Sequence, residues 1–137
     1  MASQLTLSIV TPERELVRVQ CDEVELPGSE GYFGVLPGHT PLLAILKVGR
    51  LTYRIGQETR VLAISTGLAE VLPDQVTVLS RIAERGEEID ITRAEAARKR
   101  AEERLTRAEA DLDYVRARTA LEKAMLRVQV ASRARAR

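Results

Sequence analysis

From Ile91 to Arg137 the chain contains no glycine and no proline, and alanine, arginine, glutamate and leucine dominate the stretch. These are strong helix formers, and so long a run without a breaker favours helix over strand or turn. Ala94, Ala97, Ala101, Leu105 and Ala108 recur at helical spacing, as do Tyr114, Ala117, Leu121, Ala124 and Val128. The segment Glu109–Asp113 between the two sets is polar, and Asp111 and Asp113 suit a helix start. The spacing predicts an antiparallel two-helix hairpin over roughly 91–108 and 112–132. One continuous helix is the alternative, because no glycine marks the break. Thr92 followed by Glu95 fits a capping box, with Asp90 as a competing N-cap. The apolar stripe is mostly alanine, and a buried methyl contributes only about 0.8 kcal/mol. Such a seam packs closely but holds weakly. A permanently docked hairpin and one that detaches and repacks elsewhere both agree with it.

The residues before this run follow a period of two. Leu5, Leu7 and Ile9 alternate with Thr6, Ser8 and Val10; Val17 and Val19 flank Arg18; Val24 and Leu26 flank Glu25. Gly56-Gln57-Glu58 separates Leu51–Ile55 from Arg60–Ser65, and Pro73-Asp74 separates Ala69–Leu72 from Gln75–Leu79, two hairpins in turn chemistry. Many short strands at close spacing predict a sandwich or barrel. The fold class expected is therefore β + α in two domains: a β-sandwich over 1–86, then a helical hairpin over 87–137.

A chain that is 45% hydrophobic and 30% charged can build a core, but with aromatics at 3% and no tryptophan that core must be aliphatic. No apolar run approaches the ~20 residues of a membrane span. Met1-Ala2-Ser3-Gln4 shows no secretory signal, and the lone Cys21 has no internal disulfide partner, which fits a reducing compartment. Cys21 reads as a small strand residue. The net charge of +1 conceals an asymmetry: residues 1–80 sum to −3 and 81–137 to +4. After Glu122 no acid appears, while Lys123, Arg127, Arg133, Arg135 and Arg137 follow. This basic end suits an acidic protein surface, a nucleotide phosphate, nucleic acid or anionic lipid.

The chemistry of an enzyme is missing. There is no phosphate-binding glycine loop, no Gly-x-Ser-x-Gly elbow, and too few His and Cys for the usual zinc sites. Glu87-Glu88 and Glu102-Glu103 read as solvated faces. The only histidine, His39, lies in Gly31-Tyr32-Phe33-Gly34-Val35-Leu36-Pro37-Gly38-His39-Thr40-Pro41-Leu42-Leu43. Gly38 permits a positive φ and Pro41 keeps Thr40 extended, so the imidazole is expected to brace the loop through local hydrogen bonds.

That loop, from Gly34 to Leu42, resembles the Gly-Val/Ile-Leu-Pro/Ser-Gly-His-x-Pro segment of the epsilon subunit of bacterial F-type ATP synthases. Val10-Thr11-Pro12, Thr66-Gly67-Leu68-Ala69-Glu70-Val71, Gln75-Val76-Thr77-Val78-Leu79, Ala83-Glu84-Arg85 and the terminal Arg/Ala-rich hairpin extend the resemblance, in order, over the whole chain. Thr66 departs from it, since the family often has glycine there. The resemblance implies a non-catalytic central-stalk (rotor) subunit of a proton-translocating ATP synthase, on the cytoplasmic face of the bacterial inner membrane. Its partners would be the gamma subunit, the c-ring and the alpha/beta subunits, and it would reach the membrane only through the complex. The family's C-terminal helices inhibit ATP hydrolysis in an extended state. His39 and Leu42 would lie on the coupling surface, and Arg127, Arg133 and Arg135 would meet acidic residues of the beta subunits.

Ile89-Asp90-Ile91-Thr92-Arg93-Ala94 resembles the Ile/Leu-Asp-x-x-Arg-Ala motif associated with ATP binding in some of these subunits. No cofactor is required; ATP would be a regulatory ligand. Ile89, Asp90, Arg93 and Ala94 carry the motif, with Asp90 to accept from the adenine amino group or to cap the helix. Arg93 and Arg100 lie two turns apart and can reach phosphates; Lys123 and Arg127 can close the pocket, and Glu84 can add a polar contact. Lys123 stands where arginine is frequent and lacks its bidentate fork. Alternatively, Asp90 only caps and the arginines are solvated. Two other classes compete with the whole reading. A nucleic-acid-binding module would use the arginines, but acids interleave them and exposed aromatics for stacking are few. A small-molecule hydrolase would lack its nucleophile and base.

Overall fold

A computed structural model describes residues 4–136 and divides them at Gly86 into a strand unit and a helical unit. Met1–Ser3 of the N-terminal segment and Arg137 of the basic tail lie outside the described residues.

The strand unit runs β1 Leu5–Val10, β2 Glu15–Cys21, β3 Glu23–Gly28, β4 Gly31–Val35, β5 Leu42–Leu46, β6 Gly49–Ile55, β7 Glu58–Ile64, β8 Gly67–Val71, β9 Gln75–Ser80 and β10 Ala83–Arg85. The pairing order is β10-β7-β6-β3-β5-β8-β9-β1-β2, with β4 beside β3. β1 and β9 pair in parallel and the other pairs are antiparallel. A single residue pair, Gly28 with Leu46, joins β3 to β5. The sheet folds there into two leaves, whose inner faces share one core of Leu5, Leu7, Ile9, Val24, Leu26, Leu51, Leu62, Ile64, Val71, Val76 and Val78, all essentially inaccessible. Full burial of each Leu, Ile or Val side chain contributes about 1.5–3 kcal/mol.

Local chemistry sets the hairpins. β6 and β7 meet across Gly56-Gln57 with Ile55 opposite Glu58. Gly56 takes φ 62° while no non-glycine residue among the described residues has positive φ, the pattern of a II′ turn. The Gly56 amide donates to Asp22 Oδ2 at 2.7 Å, the main reason the Asp22 carboxyl titrates below its usual range. At the second hairpin the Leu72 amide donates to the Gln75 carbonyl, closing the turn through Pro73-Asp74. Gly67 admits no side chain: a Cβ there would stand 2.0 Å from the Leu79 carbonyl oxygen. Ser8 breaks the expected alternation. It is buried with its neighbours Leu7 and Ile9, and its hydroxyl donates to Glu15 Oε2 at 3.1 Å.

The helical unit opens with a 3₁₀ turn at Gly86–Glu88, followed by α1 Ile91–Arg107 and α2 Asp111–Arg135. The helices are two, broken at Ala108-Glu109-Ala110 without a glycine. Asp90, not Thr92, caps α1: its Oδ1 accepts the Arg93 amide at 3.0 Å. α2 runs one turn nearer the C-terminus than the spacing predicts. Ala94 and Ala101 of α1 are buried, with Ala117, Ala124, Val130 and Ala131 of α2. Tyr114 is half exposed and leaves the expected seam, while Ala97, Leu105, Ala108, Leu121 and Val128 are partly buried along it. The buried alanines of each helix repeat every seventh residue, the spacing that keeps one stripe facing a partner helix.

Candidate functional site

The seam fixes the direction of every charged residue beside it. Arg93 and Arg100 immediately precede the buried Ala94 and Ala101 on α1; Lys123 precedes Ala124 on α2, and Arg127 follows it by three. At about 100° per residue, all four lie on the same flank of their helix, and antiparallel packing brings the two flanks onto one face of the hairpin. Arg104 and Arg116 join them, three places after Ala101 and one before Ala117. Sequence spacing signals both, but only relative to a seam that must first be located. Glu95, Glu102 and Glu122 occupy the opposite flank. There Arg98 pairs with Glu95 at 2.7 Å and approaches Glu102 at 3.9 Å, and Arg118 pairs with Glu122 at 3.3 Å.

One face of the hairpin therefore collects cations, with Asp90 and Asp113, each four places before a buried alanine, as its acids. Arg93, Arg100, Arg104, Arg116 and Lys123 are exposed and Arg127 is partly buried. None of the first five takes part in an ion pair among the described residues. The face suits an anion with several charges. Ile89 and Ala94 contribute otherwise: at 1% and 0% exposure their side chains pack the unit and leave only backbone to a ligand. Glu84 belongs to the strand unit, on β10 opposite Ala63. Arg133 is exposed in the last turn of α2, whereas Arg135 turns back onto the start of the unit and donates to the Gly86, Glu87 and Ile89 carbonyls.

The second candidate surface is the histidine loop. Gly38 sits at φ 87° and its amide donates to the Pro73 carbonyl at 2.7 Å. His39 Nδ1 bonds the Thr40 carbonyl at 2.6 Å, a brace within the loop. Beside it the surface is apolar: Leu36, Leu42, Leu43 and Ile45 are 42–66% exposed. An open cleft of about 360 Å³ is lined by Phe33, Leu42, Leu43 and Ile45 together with Ser29 and Glu30. Neither the loop nor the cleft assembles a nucleophile with a base. Cys21 is fully inaccessible, and burial, with the charge of Asp22, pushes its thiol up to about 11 against the opposing bond to the Glu23 backbone.

A folded sandwich with an exposed apolar rim, followed by a weakly seamed helix pair carrying a cationic face, is built to make contacts. That two-part construction is the one described by the family models that match the sequence. The ATP synthase delta/epsilon chain beta-sandwich domain matches residues 4–86 and the corresponding long alpha-helix domain matches residues 87–132. The chain belongs to the ATP synthase delta/epsilon chain family. It is 53% identical to the ATP synthase epsilon chain of Syntrophobacter fumaroxidans, over 97% of this chain and 99% of that one. It is 45% identical to the epsilon chain of Nitratidesulfovibrio vulgaris, over 95% and 97%. Among solved structures, a chain of the Euglena gracilis mitochondrial ATP synthase superposes with a TM-score of 0.83 at 22% identity, covering 96% of this chain and 82% of its own. A chain of the Tetrahymena thermophila mitochondrial ATP synthase central stalk and c-ring gives 0.60 at 15%, over 97% of both. At these identities the two superpositions speak to the fold.

Proposed function

We propose that the chain is the epsilon-type, non-catalytic central-stalk subunit of a bacterial F-type ATP synthase, coupling rotation to ATP synthesis at the cytoplasmic face of the membrane. The observation that carries this reading is the end-to-end identity of 53% with a bacterial epsilon chain, spanning sandwich and hairpin alike. The sandwich seats on the gamma subunit and the c-ring, with the loop of His39 and Leu42 and its apolar surroundings on the coupling side. The helical unit regulates ATP hydrolysis. Its alanine seam makes separation of the helices inexpensive, and Arg127, Arg133 and Arg135 supply charge for acidic surfaces of the beta subunits.

ATP is a regulatory ligand of the cationic face. Arg93, Arg100, Lys123 and Arg127 hold the phosphates, and Asp90 meets the adenine amino group. Bound phosphate supplies negative charge that neutralises two helices at once and so favours the closed hairpin.

Truncating the chain after Ile89 in the assembled complex tests the regulatory role: ATP hydrolysis is expected to rise while the rotor still assembles. Unchanged hydrolysis removes the role. Calorimetric titration with ATP and magnesium tests the ligand. Heat is expected from the intact chain and a roughly tenfold weaker affinity from Arg93→Gln, the loss of about one charge-assisted contact. No heat at millimolar nucleotide rules out the site. Charge neutralisation of Arg127, Arg133 and Arg135 with undiminished inhibition would remove the acidic-surface contact.

A further inference from the structure

Arg135 closes the end of the helical unit opposite its turn. Nη1 donates to the Gly86 carbonyl at 3.2 Å and to the Ala131 carbonyl at 2.9 Å; Nη2 donates to the Ile89 carbonyl at 2.9 Å and reaches that of Glu87 at 3.5 Å. Gly86, Glu87 and Ile89 all precede α1, so one guanidinium from the last turn of α2 gathers the backbone that leads into the other helix. The planar fork of arginine suits several carbonyls at once in a way the single ammonium of lysine does not. Ile89, Val130 and Ala131, each at most 1% exposed, are buried apolar side chains of the same unit. The far end of the hairpin has no such closure: Leu112, Tyr114 and Val115 are about half exposed beside the turn.

We propose that Arg135 is a latch, and that its release frees the end of α2 and the capped start of α1 together. A guanidinium committed to these carbonyls cannot at the same time grip a partner's carboxylate. An acidic surface that captures Arg135 therefore opens the hairpin where Asp90 caps α1. This last consequence rests on the acidic-surface contact proposed above; the latch itself does not.

Hydrogen–deuterium exchange on the full chain, without nucleotide or partner, tests it. The amides of Ile89, Arg93 and Ala94 are bonded to Gly86, Asp90 Oδ1 and the Asp90 carbonyl, and report the start of α1. Arg135→Gln is expected to speed their exchange roughly tenfold, as for loss of a charge-assisted hydrogen bond, and Arg135→Lys by less. Arg133→Gln, in the same turn and without these bonds, is expected to leave it within about twofold, the effect of a surface substitution. Wild-type exchange in Arg135→Gln, or an equal rise in Arg133→Gln, overturns the latch. Should Arg135→Gln lose helical circular dichroism altogether, Arg135→Lys carries the test: intermediate exchange supports the latch and wild-type exchange overturns it.

Discussion

The sandwich and the hairpin bury different chemistry. The sandwich core is leucine, isoleucine and valine drawn from nearly every strand, fully inaccessible and tied by long-range pairing. The hairpin buries chiefly alanine, with Ile89 and Val130 concentrated at one end. A leucine removed from water contributes several times what an alanine methyl does. The comparison teaches that one part is built to stay as it is, while the other keeps a register cheaply and can surrender it.

The largest effect should come from Gly67→Val. The obstructing atom is a backbone carbonyl oxygen, which cannot swing aside, so the substitution should destabilise the sandwich by about 3 kcal/mol or more. Urea denaturation followed by β-sheet circular dichroism measures it, and a near-neutral result would break the picture of a rigid sandwich. Next, Ala124→Leu places extra methylenes in the seam and should cost about 1–3 kcal/mol. The loss should be confined to α1 and α2: their amides should exchange faster while those of β1 and β9 do not. A matching change in the strands would abolish the contrast. Asp90→Ala removes the side-chain cap of α1 and should cost about 1 kcal/mol, read as fraying of Arg93 and Ala94 in the same exchange experiment.

A further effect is one of pH. Burial keeps the Cys21 thiol protonated, pushed up to about 11. Between the ordinary thiol range and about 11 the folded chain retains a proton that the unfolded chain has released. The sandwich must therefore lose stability as pH rises through that window. Cys21→Ala should flatten the slope between urea melts at pH 8 and pH 10.5, sharpening the comparison because the helical unit carries no cysteine.

Much of this division is legible in the residues. Gly56-Gln57 and Pro73-Asp74 announce their hairpins because turn geometry is local, and the glycine-free run announces helix for the same reason. The parallel pairing of β1 with β9 is not legible, since nothing within either strand records a partner some seventy residues away. Burial of Ser8 escapes a period-two reading because Glu15, from the next strand, satisfies its hydroxyl. Tyr114 misleads for a different reason: it continues the apolar spacing of Leu121 and Val128 into the first turn of α2, where it stands half exposed, and only packing against α1 selects Ala117, Ala124 and Ala131 as the deepest positions. That choice also determines which arginines share a face, so Arg104 and Arg116 stay hidden until the seam is known. The carbonyl partners of Arg135 depend on the reach of a long side chain, which no periodicity encodes.

The seven-residue repeat of buried alanines also governs how such a chain can change in length. One residue inserted within α1 or α2 would rotate everything beyond it by about 100°, turning a flanking arginine into the seam and an alanine out to water. Seven inserted together would restore the facing stripe. The turn at Ala108-Glu109-Ala110 carries no such constraint, so length variation should be tolerated there singly and inside the helices only in steps that preserve the repeat.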